Sequence, residues 1–128
     1  MLFTKLIYPN KFIVLMTNSV KQSTSYKSST IGTTTSFIYD KTAVISSINI
    51  LPPYKRLNHG STLLKATEDY LKSNFNIKKT KLLAWQPTGS TDLVDFYVKN
   101  NYAYSDTDIR TYDDGVQIFD LYKFHKHI

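Results

Sequence analysis

Short runs of β-branched and aromatic residues fill the first half of the chain. Phe3 to Tyr8 and Lys11 to Thr17 read as two strands separated by Pro9-Asn10, a turn pair that leaves no room for a helix. Asn18 to Thr30 is built from Ser, Thr and Lys without apolar periodicity and reads as a loop. Ile31 to Tyr39 is a third strand, and Asp40-Lys41 a tight turn. Ala43 to Leu51 is a fourth strand with apolar residues on both faces, as in the middle of a sheet, although Ser46, Ser47 and Asn49 interrupt it. Pro52-Pro53 ends it.

The period then changes. From Gly60 to Ser73, Leu63, Leu64, Thr67, Tyr70 and Leu71 fall on one face of a helix, with Glu68, Asp69 and Lys72 largely outside that stripe. Lys81 to Gln86 is a fifth strand, closed by Pro87. Ser90 or Thr91 caps a second helix that runs to about Asn100, with Asp92 in its first turn near the positive end of the helix dipole. Tyr102 to Thr111 and Val116 to Phe124 form a hairpin across Asp113-Asp114-Gly115. Four strands, a helix, a strand, a helix and two strands predict a mixed α/β (α+β) sheet, in which strands four and five flank a right-handed crossover. No repeat, linker or second domain interrupts residues 1–128, so one domain is expected.

Composition narrows the function classes. At 128 residues and 41% hydrophobic, the chain carries enough apolar side chains for a core. It has no cysteine, which excludes disulfides, thiolate metal sites and cysteine nucleophiles. The longest apolar run, Phe12 to Met16, is too short to span a bilayer, and the first residues lack a signal-peptide core. A soluble, cytoplasmic protein without membrane contact is expected. The net charge of +6 comes from 14 lysines and two arginines, Arg56 and Arg110. Such a balance matches nucleic acid, an anionic cofactor or an acidic partner, and equally the codon bias of an AT-rich genome; the lysines are scattered and not interleaved with aromatics, which argues against nucleic acid.

The chemistry concentrates between Ile48 and Leu64. A strand ends at prolines, and the polar loop Tyr54-Lys55-Arg56-Leu57-Asn58-His59 leads into a helix beginning Gly60-Ser61. A helix N-terminus offers free N–H groups at the positive end of a dipole, which is phosphate-binding geometry. Gly60 permits close backbone approach, Asn58 tolerates left-handed angles, and Lys55 and Arg56 add charge. The spacing is neither that of a P-loop nor that of a dinucleotide fingerprint.

This stretch resembles motif A of the Gcn5-related N-acetyltransferase superfamily, through Ile50, Pro52, Tyr54, Lys55, Gly60, Ser61, Leu63 and Leu64. Asp95-Phe96-Tyr97-Val98-Lys99-Asn100-Asn101-Tyr102 resembles the family's Phe-Tyr-x-x-x-Gly-Phe, and Ile118 to Lys123 its final strand. Lys55 stands for the usual Arg or Gln, Asn58 for the first glycine, Asn101 for the glycine before the aromatic, and Ser90 where Asn is common. The resemblance implies a mostly antiparallel seven-stranded sheet with two main helices, the N-terminal helices being reduced or absent. It implies an acetyl-CoA-dependent transfer to an amine acceptor in a ternary complex, without a metal. The backbone of Ile48, Asn49, Ile50 and Leu51 would pair with pantetheine. The N–H groups of Lys55, Arg56, Leu57, Asn58, His59, Gly60 and Ser61 would hold the pyrophosphate, and Tyr97 would protonate the departing thiolate. A homodimer would match the family's habit and cover strand edges. The alternative is a degenerate, non-catalytic CoA-binding or protein-interaction module.

Blander readings stand beside these. Gly60-Ser61 taken alone simply starts a helix, Tyr97 is equally an aromatic of the core, and His59 reads first as a solvent-facing loop residue. No general base is identified: a water on Ser47 or Asn49 is one candidate and Asp120 a weaker one. His125-Lys126-His127 reads as a frayed tail, Trp85 as core or cleft wall, and Asp113-Asp114 as turn chemistry. The direct join of the first two strands predicts an open acceptor side.

Overall fold

A computed structural model describes residues 2–22, 25–55 and 58–128, with the side chains of 19–29 outside the description. Seven strands form one sheet in the order β1-β2-β3-β4-β5-β7-β6. They are β1 (Leu2–Ile7), β2 (Lys11–Gln22), β3 (Ser25–Tyr39), β4 (Thr42–Ile50), β5 (Lys79–Pro87), β6 (Arg110–Asp113) and β7 (Ile118–His127). Helix α1 (His59–Phe75) joins β4 to β5, and α2 (Asp92–Lys99) follows β5. All pairings are antiparallel except β4 with β5. No helix lies between β1 and β2, as the Pro9-Asn10 turn predicted.

Both helices lie on one face of the sheet. Under α1, the alternating Phe12, Val14 and Met16 of β2 pack with Ala43, Leu63, Leu71 and Ile77. Under α2, Leu82 and Ala84 of β5 pack with Ile45, Leu64, Val94 and Phe124. Leu63 of α1 belongs to the first cluster and Leu64 to the second, so the helix packs into both. Burying one such aliphatic side chain contributes roughly 1.5–3 kcal/mol.

Four expectations need correction. Within Asn18 to Thr30 the described residues are strand and not loop: β2 and β3 stay paired out to Gln22 and Ser25, and residues 23–24 lie outside the description. Polar strands pair through their backbones, which apolar periodicity does not register. Glu68 lies not outside the buried stripe but within it, 4% exposed, because Lys126 and Tyr102 reach it. Lys126 in turn sits in β7, so His125-Lys126-His127 is ordered strand and not a frayed tail. Finally, Tyr102 to Thr111 is no continuous strand. Ala103 makes one bridge to His125, Asp106–Asp108 is a short 3₁₀ turn, and β6 begins only at Arg110.

β4 positions the site. It pairs with β3 along its length, but Thr35 faces Ser47 while Ser36 faces Ile45, so Ser46 is an extra, bulged residue. The bulge shifts the face parity. Ala43 and Ile45 point to the helices before it, and Ile48 and Ile50 after it. On the other side β4 pairs with β5 only from Thr42 to Ile45, against Lys79 to Leu82. Beyond that point the two strands part.

Candidate functional site

The parting of β4 and β5 opens a cleft of about 500 Å³ on the helix face. Ile48 and Ile50 form one wall, Phe96 and Tyr97 of α2 the other, and the start of α1 closes one end. The Leu51 N–H donates to Ile31 O of β3, 2.8 Å away. Backbone groups alternate along an antiparallel strand, so Asn49 also addresses β3, while Ile48 and Ile50 turn their N–H and C=O groups into the gap. Of the four predicted backbone contacts, two therefore face the cleft. Asn49 and Leu51 are committed to β3, and their side chains are exposed.

Asn58 precedes α1 at φ 61° and ψ 13°, the left-handed conformation its residue type tolerates. Its carbonyl accepts from the Thr62 N–H at 3.2 Å and the Thr62 hydroxyl at 3.1 Å. The N–H groups of His59, Gly60 and Ser61 precede the first intrahelical donor and are the orphan donors of the helix start. All three residues line the cleft, together with Lys55 and Asn58. Arg56 and Leu57 lie outside the described residues. His59 is half-buried, its ring 6.1 Å from that of Tyr54, and is not the solvent-facing residue the sequence reading put first.

Gly60 packs tightly. A Cβ there would lie 3.1 Å from Cε1 and 3.2 Å from Cζ of Phe96, so any side chain at this position makes the Phe96 ring give way where α1 and α2 meet. Asn100 ties the same junction: its Nδ2 donates to Ser61 Oγ at 3.2 Å and to Phe96 O at 2.8 Å. Asn101 follows at φ 70°, where the family motif has glycine.

Helix α2 is capped from an unexpected place. Thr91 stands at the N-cap position, as expected of Ser90 or Thr91, but its hydroxyl donates to Asp95 and makes no cap bond. The buried Oε1 of Gln86 accepts from Leu93 N at 2.7 Å and Val94 N at 3.2 Å. A glutamine seven residues upstream of Leu93 belongs to no local capping pattern, which is why the sequence concealed it. The cap fixes α2, and hence Tyr97, directly to β5.

Tyr97 sits at the cleft wall with its ring against Phe96 (5.2 Å), Phe124 (5.2 Å) and Tyr102 (6.0 Å). Burial raises its phenol above the ordinary value, so the group holds its proton at neutral pH. Lys55 and Lys99 bring positive charge to the cleft, and Asp92 a carboxylate at its lip. Ser47 and Asn49 project from the opposite face of β4, and Asp120 accepts from Thr111 at 2.8 Å. Trp85 is not core: it is half-exposed on the open face, paired with Tyr112.

The closed end of the gap is locked by a buried polar network. Tyr102 Oη donates to Glu68 Oε2 at 2.8 Å and lies 2.9 Å from the Thr80 hydroxyl, while Lys126 Nζ donates to Glu68 Oε1 at 2.8 Å. It joins α1, β5 and β7 where β4 and β5 are still paired. Among the described residues no group of three or more His, Asp or Glu side chains could hold a metal, and no helix is long and apolar enough to cross a membrane.

Residues 15–102 match the model of the acetyltransferase (GNAT) family. The chain belongs to the GNAT family. A GNAT-family acetyltransferase from Elizabethkingia anophelis with acetyl-CoA bound is similar in fold, with a TM-score of 0.68 at 19% identity over 93% of this chain and 77% of that one. The spermidine/spermine N-acetyltransferase of Vibrio cholerae gives 0.70 at 13% identity, over 93% of this chain and 66% of that one. The PaiA N-acetyltransferase of Thermoplasma acidophilum, in complex with coenzyme A, gives 0.63 at 18%, over 93% and 62%. Against the last two the chain spans less than two thirds of the other's length. No curated protein sequence matches it. The seven-stranded, mostly antiparallel sheet with two helices is the expected fold.

Proposed function

We propose that this GNAT member transfers an acetyl group from acetyl-CoA to an amine, directly and within a ternary complex. The observation that carries the reading is the gap between β4 and β5. It sets the backbone of Ile48 and Ile50 on one side, Tyr97 on the other and the start of α1 at one end. Neighbours of this fold with acetyl-CoA or coenzyme A bound support the choice of donor.

Each part of the cleft has a task. The N–H groups of His59, Gly60 and Ser61 bind the pyrophosphate at the positive end of the α1 dipole, aided by the charge of Lys55. Ile48 and Ile50 bind the amides of the pantetheine arm as an added strand would. Bound acetyl-CoA supplies the thioester: the amine nitrogen forms a bond to its carbonyl carbon, the C–S bond breaks, and CoA leaves as a thiolate. Tyr97 donates its proton to that sulfur, and burial keeps the proton available. The proton released by the amine passes to water. Holding both reactants in one cleft supplies much of the acceleration.

Calorimetric titration with acetyl-CoA, then CoA, tests the proposal. Micromolar binding of acetyl-CoA supports it. No binding at millimolar cofactor overturns it and leaves a non-catalytic GNAT-fold module.

A further inference from the structure

Both helices pack on one face of the sheet, and among the described residues nothing covers the other. On β5 and β7 that open face is ordered along the strands. The register pairs Lys81 with His125, Leu83 with Lys123, Trp85 with Leu121 and Pro87 with Phe119. Side chains alternate along β5, with Leu82, Ala84 and Gln86 under the helices, so the odd-numbered residues of both strands stand on the open face. Tyr112 of β6 joins them, since it pairs with Phe119.

From end to end the face changes character. It begins basic, with Lys81 and Lys123 exposed. Its middle is apolar: Leu83 is 54% exposed, Trp85 48% and Tyr112 47%, and Phe119 is half-buried beside them. It ends acidic, where Asp113 and Asp114 join Trp85, Tyr112 and Phe119 around a recess of about 400 Å³. Asp113 Oδ1 accepts from Gly115 N at 2.8 Å, and Asp114 Oδ1 from Val116 N at 2.8 Å and Gln117 N at 2.7 Å. The Oδ2 atoms are not used in these turn bonds. Arg110, level with Leu121, turns its guanidinium back to Thr107 O at 3.0 Å and Ile109 O at 3.1 Å. Trp85 thus lies between two ends of opposite charge.

Such a surface is complementary to itself under one symmetry. Two open faces related by a twofold axis that lies in their interface and runs across the strands meet antiparallel. Each basic end then covers the other copy's acidic end, and Trp85 lies near the axis. The recess receives a lysine ammonium, which gains from the aromatic rings and the carboxylates together. The alternative twofold, along the strands, sets like charge on like charge. Half-exposed leucine, tryptophan and tyrosine in one patch gain from leaving water in either case, so charge selects the arrangement.

We infer that this face is the interface of a twofold homodimer, formed face to face through β5, β7 and β6 and not by pairing of the outer strand edges. The inference is independent of the acetyl-transfer reading, since neither cofactor nor turnover enters it.

Trp85 is the sole tryptophan, so its emission reports on the interface without labelling or substitution. The full chain is diluted from roughly 100 μM to 0.1 μM while sedimentation velocity follows its mass. A dimer is expected whose dissociation moves the Trp85 emission to longer wavelength with the same midpoint. Two variants then test the charges: Lys81→Glu/Lys123→Glu, and Asp113→Asn/Asp114→Asn, in which asparagine keeps the Oδ1 acceptor of the turn. Each alone should weaken the dimer at least about tenfold. An equimolar mixture should recover part of the loss as heterodimer, because the mixed pair keeps one basic end on one acidic end; that recovery also shows both variants to be folded. A monomer at every concentration overturns the inference and leaves the face to a different partner. A dimer whose Trp85 emission ignores its dissociation, or whose affinity ignores both variants, overturns it in favour of edge pairing.

Discussion

β4 has two neighbours and treats them differently. Against β3 it is paired from Thr42 to Ile50, absorbing one bulge at Ser46. Against β5 it is paired only from Thr42 to Ile45. The closed end is bound by the network of Glu68, Tyr102, Thr80 and Lys126. The open end has no pairing between the two strands, and the cleft lies there. The buried network and the proposed reaction thus occupy opposite ends of one strand pair, and substitutions at the two ends should separate them.

The largest effect is expected at the closed end. Glu68→Ala leaves Lys126 without its carboxylate and Tyr102 without its acceptor in a buried setting, with an expected loss of about 3–5 kcal/mol. Denaturant unfolding checks it; a loss under about 1 kcal/mol would mean that the network is solvated and holds nothing closed. Tyr102 adds a pH signature. Burial foremost raises its phenol above the ordinary 10.0, so its contribution is present below that pH and is lost as pH rises beyond it.

At the open end, Tyr97→Phe should leave folding and acetyl-CoA affinity nearly unchanged and lower kcat by about a hundredfold or more. Burial raises the Tyr97 phenol, so the donor form persists up to and past pH 10.0. The ratio of wild-type to Tyr97→Phe kcat should therefore stay flat at every pH below 10.0. A ratio that falls on the alkaline side below that point would assign the proton to another group.

Where the helices meet at the cleft, Gly60→Val drives a branched side chain into the Phe96 ring. Overpacking of this kind costs about 1–3 kcal/mol. It also displaces the N–H groups that open the cleft, so weakened acetyl-CoA binding should accompany the stability loss. Thermal unfolding and calorimetry on the same sample test whether the two move together.

The sequence carried the element order, both helices to within two residues, and the segment that frames the cleft. It also carried the mark of the bulge, unread: apolar residues at 43 and 45 and again at 48 and 50 break the alternation of a regular strand. Taken as burial on both faces, the same letters hid where β4 leaves β5. Other misses have one cause, partners distant along the chain. Glu68 looked solvent-facing because Lys126 lies 58 residues away, and Gln86 looked like ordinary strand because its cap serves the next helix. Local pattern cannot register such pairs. Trp85 was read as core or cleft wall, but the two helices share one face of the sheet and leave the other, where Trp85 stands, open.

The smallest expected effect bears on the family motif itself. Asn58 replaces a motif glycine and sits at φ 61°, with no side-chain cap bond to lose. Asn58→Gly removes a mild left-handed penalty and adds unfolded-state freedom, and these nearly cancel to within about 0.5 kcal/mol. Asn58→Val puts a β-branched residue where L side chains are strained, at an expected cost of about 1–2 kcal/mol. The same strain tilts the start of α1, whose donors face the cleft, so acetyl-CoA affinity should fall for valine and hold for glycine. Equal affinities in the two variants would show that backbone angle at this position does not set the donors. Preserved affinity in glycine alone would show that asparagine keeps the motif's backbone angle at this position without its residue.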